Sequence, residues 1–426
     1  MKRIIRLVFL ICAIFILTQI CLSLSCLAAP KDSFTVKAKA AVLINVASGQ
    51  TIFEQNADRR IPPASLTKLM TLYVAYDAVD NGYVSFADQV HISKKAWKTG
   101  GSRMFLRVDT KVELEKILKG IAVVSGNDAC VAVAEHLSGV EEVFVDAMNA
   151  KALEIGLYDT VFKDSNGLSD KGQYTTANDM ARLALSYVKQ HPEALPKHSA
   201  KEMTFNNITQ RNRNGLLWLD YGVDGLKTGH LESAGYHLVA TAEQDGERYI
   251  AVVLGAKSET KRENIALKLL NYGFRNYKTI EVVPAREEID RLSVWYGKNG
   301  FVPVGLPKAL RVTVGKEHAK DISTEKELPE RVFAPIDNEQ TLGHYQIFIA
   351  GEPYLQRPLK ALEAVAPAGF FVSAMHFMIL AFITPPFWGL IVLGIMAVAF
   401  CLAFLLAVPR RKKKSSRSDI DDLLGK

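Results

Sequence analysis

The sequence predicts an α+β fold in which an antiparallel sheet with helices is followed by a small β-sandwich-like domain and a C-terminal transmembrane helix. Three observations carry this. A strand hairpin near residue 41 and a strand–turn–strand–helix block after Lys227 bracket a helical stretch from about residue 111 to 190. Around residue 280 the pattern changes to short strand-like runs broken by Gly, Pro and Asn. Finally, Phe387 to Val408 is an uninterrupted apolar stretch of 22 residues, enough to cross a bilayer core of ~30 Å.

In chain order, Lys2, Arg3 and Arg6 precede an apolar run from Leu7 to about Leu17, with small residues Ser25, Cys26, Ala28 and Ala29 behind it. This is the layout of a secretory signal peptide over 1–28, cut near Ala28 because Pro30 blocks cleavage directly before it. A first domain spans 35–278. Ala41–Val46 and Thr51–Phe53 flank Ala47-Ser48-Gly49-Gln50 and read as a hairpin. Residues 66–79 form a helical run with apolar residues on nearly every side, which predicts a buried helix. Val112–Val124, Asp128–Leu137 and Thr176–Lys189 are further helical patterns. Tyr236–Ala242 and Tyr249–Leu254 bracket the turn signal Asp245-Gly246, and a helix with Ile265, Leu269 and Tyr272 on one face follows. The β domain covers 280–366, with Leu292–Tyr296, Leu310–Val314 and Tyr345–Ile349 as strands. Residues 370–384, too short for a span and cut off by Pro385-Pro386, read as a helix in the membrane interface. The span 387–408 and a basic tail 409–426 complete the chain. Arg410 to Lys414 places that tail in the cytoplasm, and so the bulk of the protein outside the cytoplasmic membrane.

The net charge of +7 does not indicate nucleic acid. The leader contributes +3, and seven basic against three acidic residues in 409–426 contribute +4, so the segment between is formally neutral. Cys12, Cys21 and Cys26 lie in the leader and Cys401 in the span. Cys130, in a helical apolar run, is left without a disulfide partner and reads as a buried hydrophobe. The nine His are scattered and show no H-E-x-x-H, so no metal and no cofactor is implied.

Three short motifs carry the chemistry. Ser65-Leu66-Thr67-Lys68 sets a hydroxyl and an amine on one face at the start of a helix, whose free N–H groups suit developing negative charge. Ser125-Gly126-Asn127 supplies a second hydroxyl and an amide ahead of another helix. Lys227-Thr228-Gly229, leading into the strand pair, supplies a cation, a hydroxyl and a residue that lets a substrate backbone approach an edge strand. Each triplet is weak alone: Ser258-Glu259-Thr260-Lys261 and Lys98-Thr99-Gly100 have the same letters. Only the trio at 65, 125 and 227 has the order S-x-x-K, S-x-N, K-T-G in helix, loop and strand contexts.

In these residues the sequence resembles the low-molecular-weight penicillin-binding proteins of the serine D-Ala-D-Ala carboxypeptidase family. Asn212-Arg213-Asn214-Gly215, Val223 to His230, Gln173-Tyr174-Thr175-Thr176-Ala177 and Arg262-Glu263 extend the similarity over roughly 35–366. One departure is the C-terminal span, where relatives usually end in an amphipathic helix. The resemblance implies a β-lactamase/transpeptidase-like catalytic domain that removes the terminal D-alanine of peptidoglycan stem pentapeptides, with β-lactams as covalent inhibitors. It implies Ser65 as nucleophile, Lys68 as base and Ser125 as proton shuttle. Asn127 would hold the substrate amide, and the backbone N–H groups of Ser65 and His230 would form the oxyanion hole. Lys227, Thr228, Arg213 and Arg262 are candidates for the terminal carboxylate, beside Gly229. A neutral Lys68 requires its pKa lowered from ~10.4 to ~7, about 4–5 kcal/mol, from burial and the Lys227 cation. Transpeptidase or endopeptidase action remains an alternative. A class A β-lactamase is disfavoured because no E-x-x-L-N lies between Ser125 and Lys227; Asp164-Ser165-Asn166-Gly167-Leu168 stands there instead. A non-catalytic receptor would have no use for the intact Ser65, Lys68 and Lys227.

Overall fold

The computed structural model describes residues 34–168 and 171–383 and, beyond them, residues 390–391, 394–395 and 397–399. The leader read at 1–28, the tail at 409–426 and most of the stretch 387–408 lie outside the described residues. Among the described residues no helix is long and apolar enough to cross a membrane. The chain divides into two compact units. The first holds the described residues up to Ile280 with Val312–Lys316, and the second holds Glu281–Arg311 with those from Glu317 onward.

The first unit opens with the hairpin β1 (Ala40–Asn45) and β2 (Thr51–Gln55). A 3-10 turn, Ala64–Leu66, leads straight into α1 (Thr67–Asp80). The pair β3 (Gln89–His91) and β4 (Lys111–Glu113) flanks the short α2 (Lys94–Lys98). Helices α3 (Leu114–Val124), α4 (Asn127–Ser138), α5 (Glu141–Glu154), α6 (Ala177–Gln190) and α7 (Leu195–Ser199) follow. A small hairpin, β5 (Glu202–Phe205) with β6 (Ile208–Arg211), precedes the three long strands β7 (Val223–Leu231), β8 (Gly235–Gln244) and β9 (Glu247–Ala256). Helix α8 (Glu259–Asn276) closes the unit.

Strands from the two ends of this unit form one antiparallel sheet in the order β2-β1-β9-β8-β7. Alternation along the strands feeds two cores. Val42 and Ile44 of β1, with Ile250 and Val252 of β9, join α1, α3, α4 and α6 on one face. Ala41 and Leu43, with Tyr249, Ala251 and Val253, join Ile265, Leu269 and Leu270 of α8 on the other. Because both faces are covered, β1 and β9 read as near-continuous apolar runs. Helix α1 is buried almost all round, as its pattern predicts. The Lys227-Thr228-Gly229 triplet does not precede the strands; it lies inside β7, the sheet edge, with Lys227 opposite Val239 and Gly229 opposite His237. Ladder pairing to β8 outweighs the poor strand propensity of its glycine.

In the second unit, β11 (Glu288–Trp295), β12 (Phe301–Gly305), β14 (Ile322–Glu327), β15 (Arg331–Phe333), β16 (Thr341–Ile349) and β17 (Glu352–Ala361) form one sheet. Its order is β14-β16-β17-β12-β11-β15, parallel only between β11 and β15. Strands β10 (Tyr277–Val283) and β13 (Leu310–Gly315) make a separate pair. The stretch read as an interfacial helix is helical: α9 spans Phe370–Ile383. Phe370, Phe371, Met375, Phe377 and Met378 are exposed on it, and His376 Nδ1 accepts from Tyr296 N at 2.9 Å.

Local chemistry explains the decoy serine. Ser258 caps α8, its hydroxyl accepting from Lys261 N at 3.2 Å. Ser258→Ala should lower the unfolding free energy by about 1 kcal/mol, read as a shift of the urea midpoint at unchanged m-value. No shift would show that the cap contributes nothing.

Candidate active site

Ser65 occupies the 3-10 turn ahead of α1, directly after Ala64, whose φ of +51° is uncommon for a residue with a side chain. One turn on, the fully buried Lys68 donates from Nζ to Ser65 Oγ at 2.9 Å and also to the Asn166 main-chain oxygen. The i, i+3 geometry expected of Ser65 and Lys68 is present. Desolvation by burial lowers the Lys68 pKa to about 8, and Arg213 pushes the same way. Asp164 and Asp128 oppose the shift. Cys130 opposes it only as a thiolate, and burial pushes that thiol up to about 12, so it is neutral while Lys68 titrates. The amine thus stops about one unit above the ~7 expected, leaving roughly a tenth of it neutral at pH 7.

The second motif lies between α3 and α4. Ser125 caps α3 in the left-handed conformation with φ +61°, and Asn127 opens α4. Asn127 Nδ2 donates to Gly100 O at 2.8 Å, while its Oδ1 and the Ser125 hydroxyl are buried without a hydrogen bond. Unpaired buried polar atoms are costly, and they mark groups free to engage a bound molecule. Asp128, one residue on, accepts from Met104 N at 2.8 Å and Leu106 N at 3.1 Å and so fixes the loop that faces this motif.

The third motif meets the serine from the sheet edge. A Cβ added at Gly229 would lie 3.2 Å from Pro63 O and 3.4 Å from Ser65 N, so β7 passes close against the Ser65 turn. Lys227 is buried and donates to Thr228 O at 3.1 Å; burial, then Lys68 and Arg213, hold its pKa well below the ordinary lysine value. Thr228 is buried, and His230 is exposed with its ring stacked on Tyr236 at 4.0 Å.

The two arginines differ from one another. Arg213 is exposed, close enough to act on both lysines. Arg262 lies behind Arg213. It is only 2% exposed, and its Nη2 donates to Arg213 O at 3.1 Å. Glu263 accepts from Gly215 N at 3.1 Å, and Asn214 Nδ2 donates to Gly225 O at 3.1 Å, so α8 and β7 together hold the Asn212–Gly215 segment. Lys68, Lys227 and Arg213, with Arg262 behind, make a local excess of positive charge in which a small carboxylate is favoured.

One part of the site escapes residue-by-residue reading. The Asp164–Leu168 loop sits directly against the Ser65 turn: a Cβ at Gly167, where φ is +84°, would lie 1.9 Å from Ala64 O. Asp164 Oδ1 accepts from Asn166 N at 3.0 Å and from Gly167 N, and Glu141 accepts from Ser165 N at 3.1 Å and Ser165 Oγ at 2.6 Å. The density of turn formers signals a tight turn; nothing local signals that it seats the Lys68 amine.

Comparison with known proteins places the chain in a family. The sequence profile of the D-alanyl-D-alanine carboxypeptidase family, Peptidase S11, matches residues 27–258. The chain belongs to this serine peptidase family. The profile of the penicillin-binding protein 5 C-terminal domain matches residues 277–367. The D-alanyl-D-alanine carboxypeptidase DacC of Escherichia coli (strain K12) is 39% identical over 82% of this chain and 89% of its own length. DacF of Bacillus subtilis (strain 168) is 36% identical over 78% of this chain and 87% of its own. Penicillin-binding protein 5 from Haemophilus influenzae superposes with a TM-score of 0.75 at 37% identity, covering 80% of this chain and 99% of that one. Penicillin-binding protein D2 of Listeria monocytogenes, in its ampicillin-bound form, gives 0.53 at 30% identity over 57% of this chain and 100% of that one. The first unit therefore has the transpeptidase-like α+β fold of penicillin-binding proteins, with a β domain behind it in sequence.

The contact at Gly167 gives a sharp test. Gly167→Ala must relieve a main-chain overlap and hold a left-handed alanine, the latter alone costing roughly 1–3 kcal/mol. Urea unfolding should show at least that loss, and a midpoint equal to wild type would mean that the loop does not press on the Ser65 turn.

Proposed function

We propose that this family member acts by acyl transfer through Ser65, releasing the terminal D-alanine from peptidoglycan stem pentapeptides. The observation that carries the reading is the 2.9 Å contact between Lys68 Nζ and Ser65 Oγ, made by an amine whose burial lowers its pKa to about 8. In its neutral form Lys68 takes the hydroxyl proton as the oxygen attacks the carbonyl between the two D-alanines. The carbonyl oxygen becomes an oxyanion held by the backbone N–H groups of Ser65 and His230. Ser125 passes a proton to the leaving amine, the D-Ala departs, and water later cleaves the ester on Ser65. Asn127 holds the substrate amide. Arg213, Lys227 and Thr228 hold the terminal carboxylate beside Gly229, and the buried Arg262 positions Arg213 through its main-chain oxygen. No step calls for a metal or cofactor. β-Lactams, seen as ampicillin and cefotaxime in the Listeria relative, are covalent inhibitors in this scheme because their strained amide presents the same carbonyl to Ser65.

The purified protein should release D-Ala from an acyl-D-Ala-D-Ala peptide. Ser65→Ala should abolish release and Lys68→Arg nearly so, because Arg keeps the charge but not the ability to lose it. Only the deprotonated amine is a base, so wild-type acylation should fall roughly tenfold per pH unit below about 8 and level above it. A flat profile between pH 6 and 9, or near-normal acylation by Lys68→Arg, places the base elsewhere.

For localisation, the proposal is an exported enzyme held by one C-terminal span over 387–408, its active site outside the cytoplasmic membrane and its tail inside. The apolar exposed residues of α9 support an adjacent contact with the membrane interface. Protease added to intact spheroplasts should digest the catalytic unit and spare an epitope tag fused after Lys426. Cleavage of that tag in sealed spheroplasts would mean two crossings.

A further inference from the structure

At the end of α1 far from Ser65, a buried histidine is set among carboxylates in a way that packing alone does not explain. His191 caps the C-terminus of α6 and is fully buried. The rings of Tyr73, Tyr76 and Tyr187 lie 5.2, 5.5 and 5.9 Å from it and fix its plane. Its Nε2 lies 2.8 Å from Asp77 Oδ1, which also accepts from Gln190 Nε2 at 3.1 Å, while Asp77 Oδ2 pairs with Lys151 Nζ at 2.8 Å. An ionised carboxylate only accepts, so Nε2 is the donor to Asp77 and Nδ1 faces the opposite side of the ring.

That nitrogen is directed at negative charge. His191 Nδ1 lies 3.1 Å from Asp80 Oδ2 and 3.5 Å from Glu193 Oε1, and it makes no hydrogen bond to either. The oxygens sit too far off the ring-nitrogen axis to accept a proton well. Ligands around a shared ion occupy such off-axis positions. With bonds of ~2.0–2.1 Å, tetrahedral ligand atoms stand about 3.3 Å apart, between the two distances observed. The three ligand atoms lie within 4.8 Å of one another. Two helix C-termini, those of α1 at Asp80 and α6 at Gln190, converge here and add partial negative charge.

We propose that Asp80, His191 and Glu193 form a divalent-cation site, suited to zinc or a similar borderline metal, that joins the C-terminal ends of α1 and α6. Asp77 holds the histidine from behind, as carboxylates do for metal-bound imidazoles. Asp80 and Glu193 are half-exposed, so water completes the coordination. No sequence motif announces the site because Asp80 stands 111 positions before His191 in the chain. It lies about 20 Å along α1 from Lys68, so its role is to tie helices together and not to enter the reaction.

The test uses the full-length protein in detergent, stripped with chelator and titrated with zinc chloride. Calorimetry should show one saturable ion per chain, and the ion should raise Tm. Asp80→Asn and Glu193→Gln, conservative changes at half-exposed positions, should each weaken zinc binding by roughly tenfold or more and lose the Tm shift, with circular dichroism confirming the wild-type fold. Cobalt(II) in place of zinc should give visible absorption that both variants lose. Absence of saturable binding up to millimolar zinc overturns the proposal. Equal zinc affinity in wild type and both variants overturns it as well, placing the ion elsewhere.

Discussion

A lysine amine removed from water yet kept in reach of a serine hydroxyl is the constraint around which the first unit is arranged. Desolvation favours the neutral amine, but an amine with nothing to donate to would be too costly to bury. The chain resolves this with the Ser65 hydroxyl and a main-chain carbonyl, the Asn166 oxygen, which orient Lys68 without bringing a full negative charge against it. The acids nearby are engaged elsewhere. Asp128 is bonded to the N–H groups of Met104 and Leu106, and Asp164 to those of Asn166 and Gly167. They moderate the amine through space and do not pair with it, so its pKa settles at about 8.

The same constraint explains how α1 is held. A helix buried on nearly every side has no polar stripe to set its rotation, and apolar packing alone discriminates weakly among rotations. Polar contacts supply the missing information along its length. Lys68 bonds Asn166 O, Thr71 donates to Ser165 O, the Tyr73 hydroxyl meets Ser186 and Gln190, and Asp77 takes His191 and Lys151. The helix that begins with the chemistry is therefore indexed by hydrogen bonds from start to finish, and Ser65 inherits that precision.

Much of this was legible in the sequence because the three motifs combine residue type, spacing and order, and because the long strands and helices repeat cleanly. The decoys were separable for physical reasons that the structure makes concrete. Ser258 spends its hydroxyl on a helix cap, and Gly100 lends its carbonyl to Asn127. What the sequence concealed depends on distant segments meeting. The loop at 164–168 reads as a turn, but its partner is the Ser65 turn about a hundred residues earlier. Arg262 reads as a candidate for the terminal carboxylate, and nothing local shows that it is buried with its guanidinium on the Arg213 carbonyl. Lys227-Thr228-Gly229 reads as a lead into the strand pair, and only the pairing with β8 shows that it lies within an edge strand.

The packing of Gly167 on Ala64 also bears on how this enzyme can evolve. Class A β-lactamases free themselves of antibiotic with a glutamate that activates water behind the acyl-ester, supplied from the part of the chain where this protein has Asp164–Leu168. Here the Asn166 carbonyl already receives the Lys68 amine, and position 167 has no room for even a methyl group. A carboxylate introduced at 167 by a single codon change would displace the turn that carries Ser65 before it could help hydrolyse anything. Escape from β-lactams by self-hydrolysis is thus closed to point mutation at this residue.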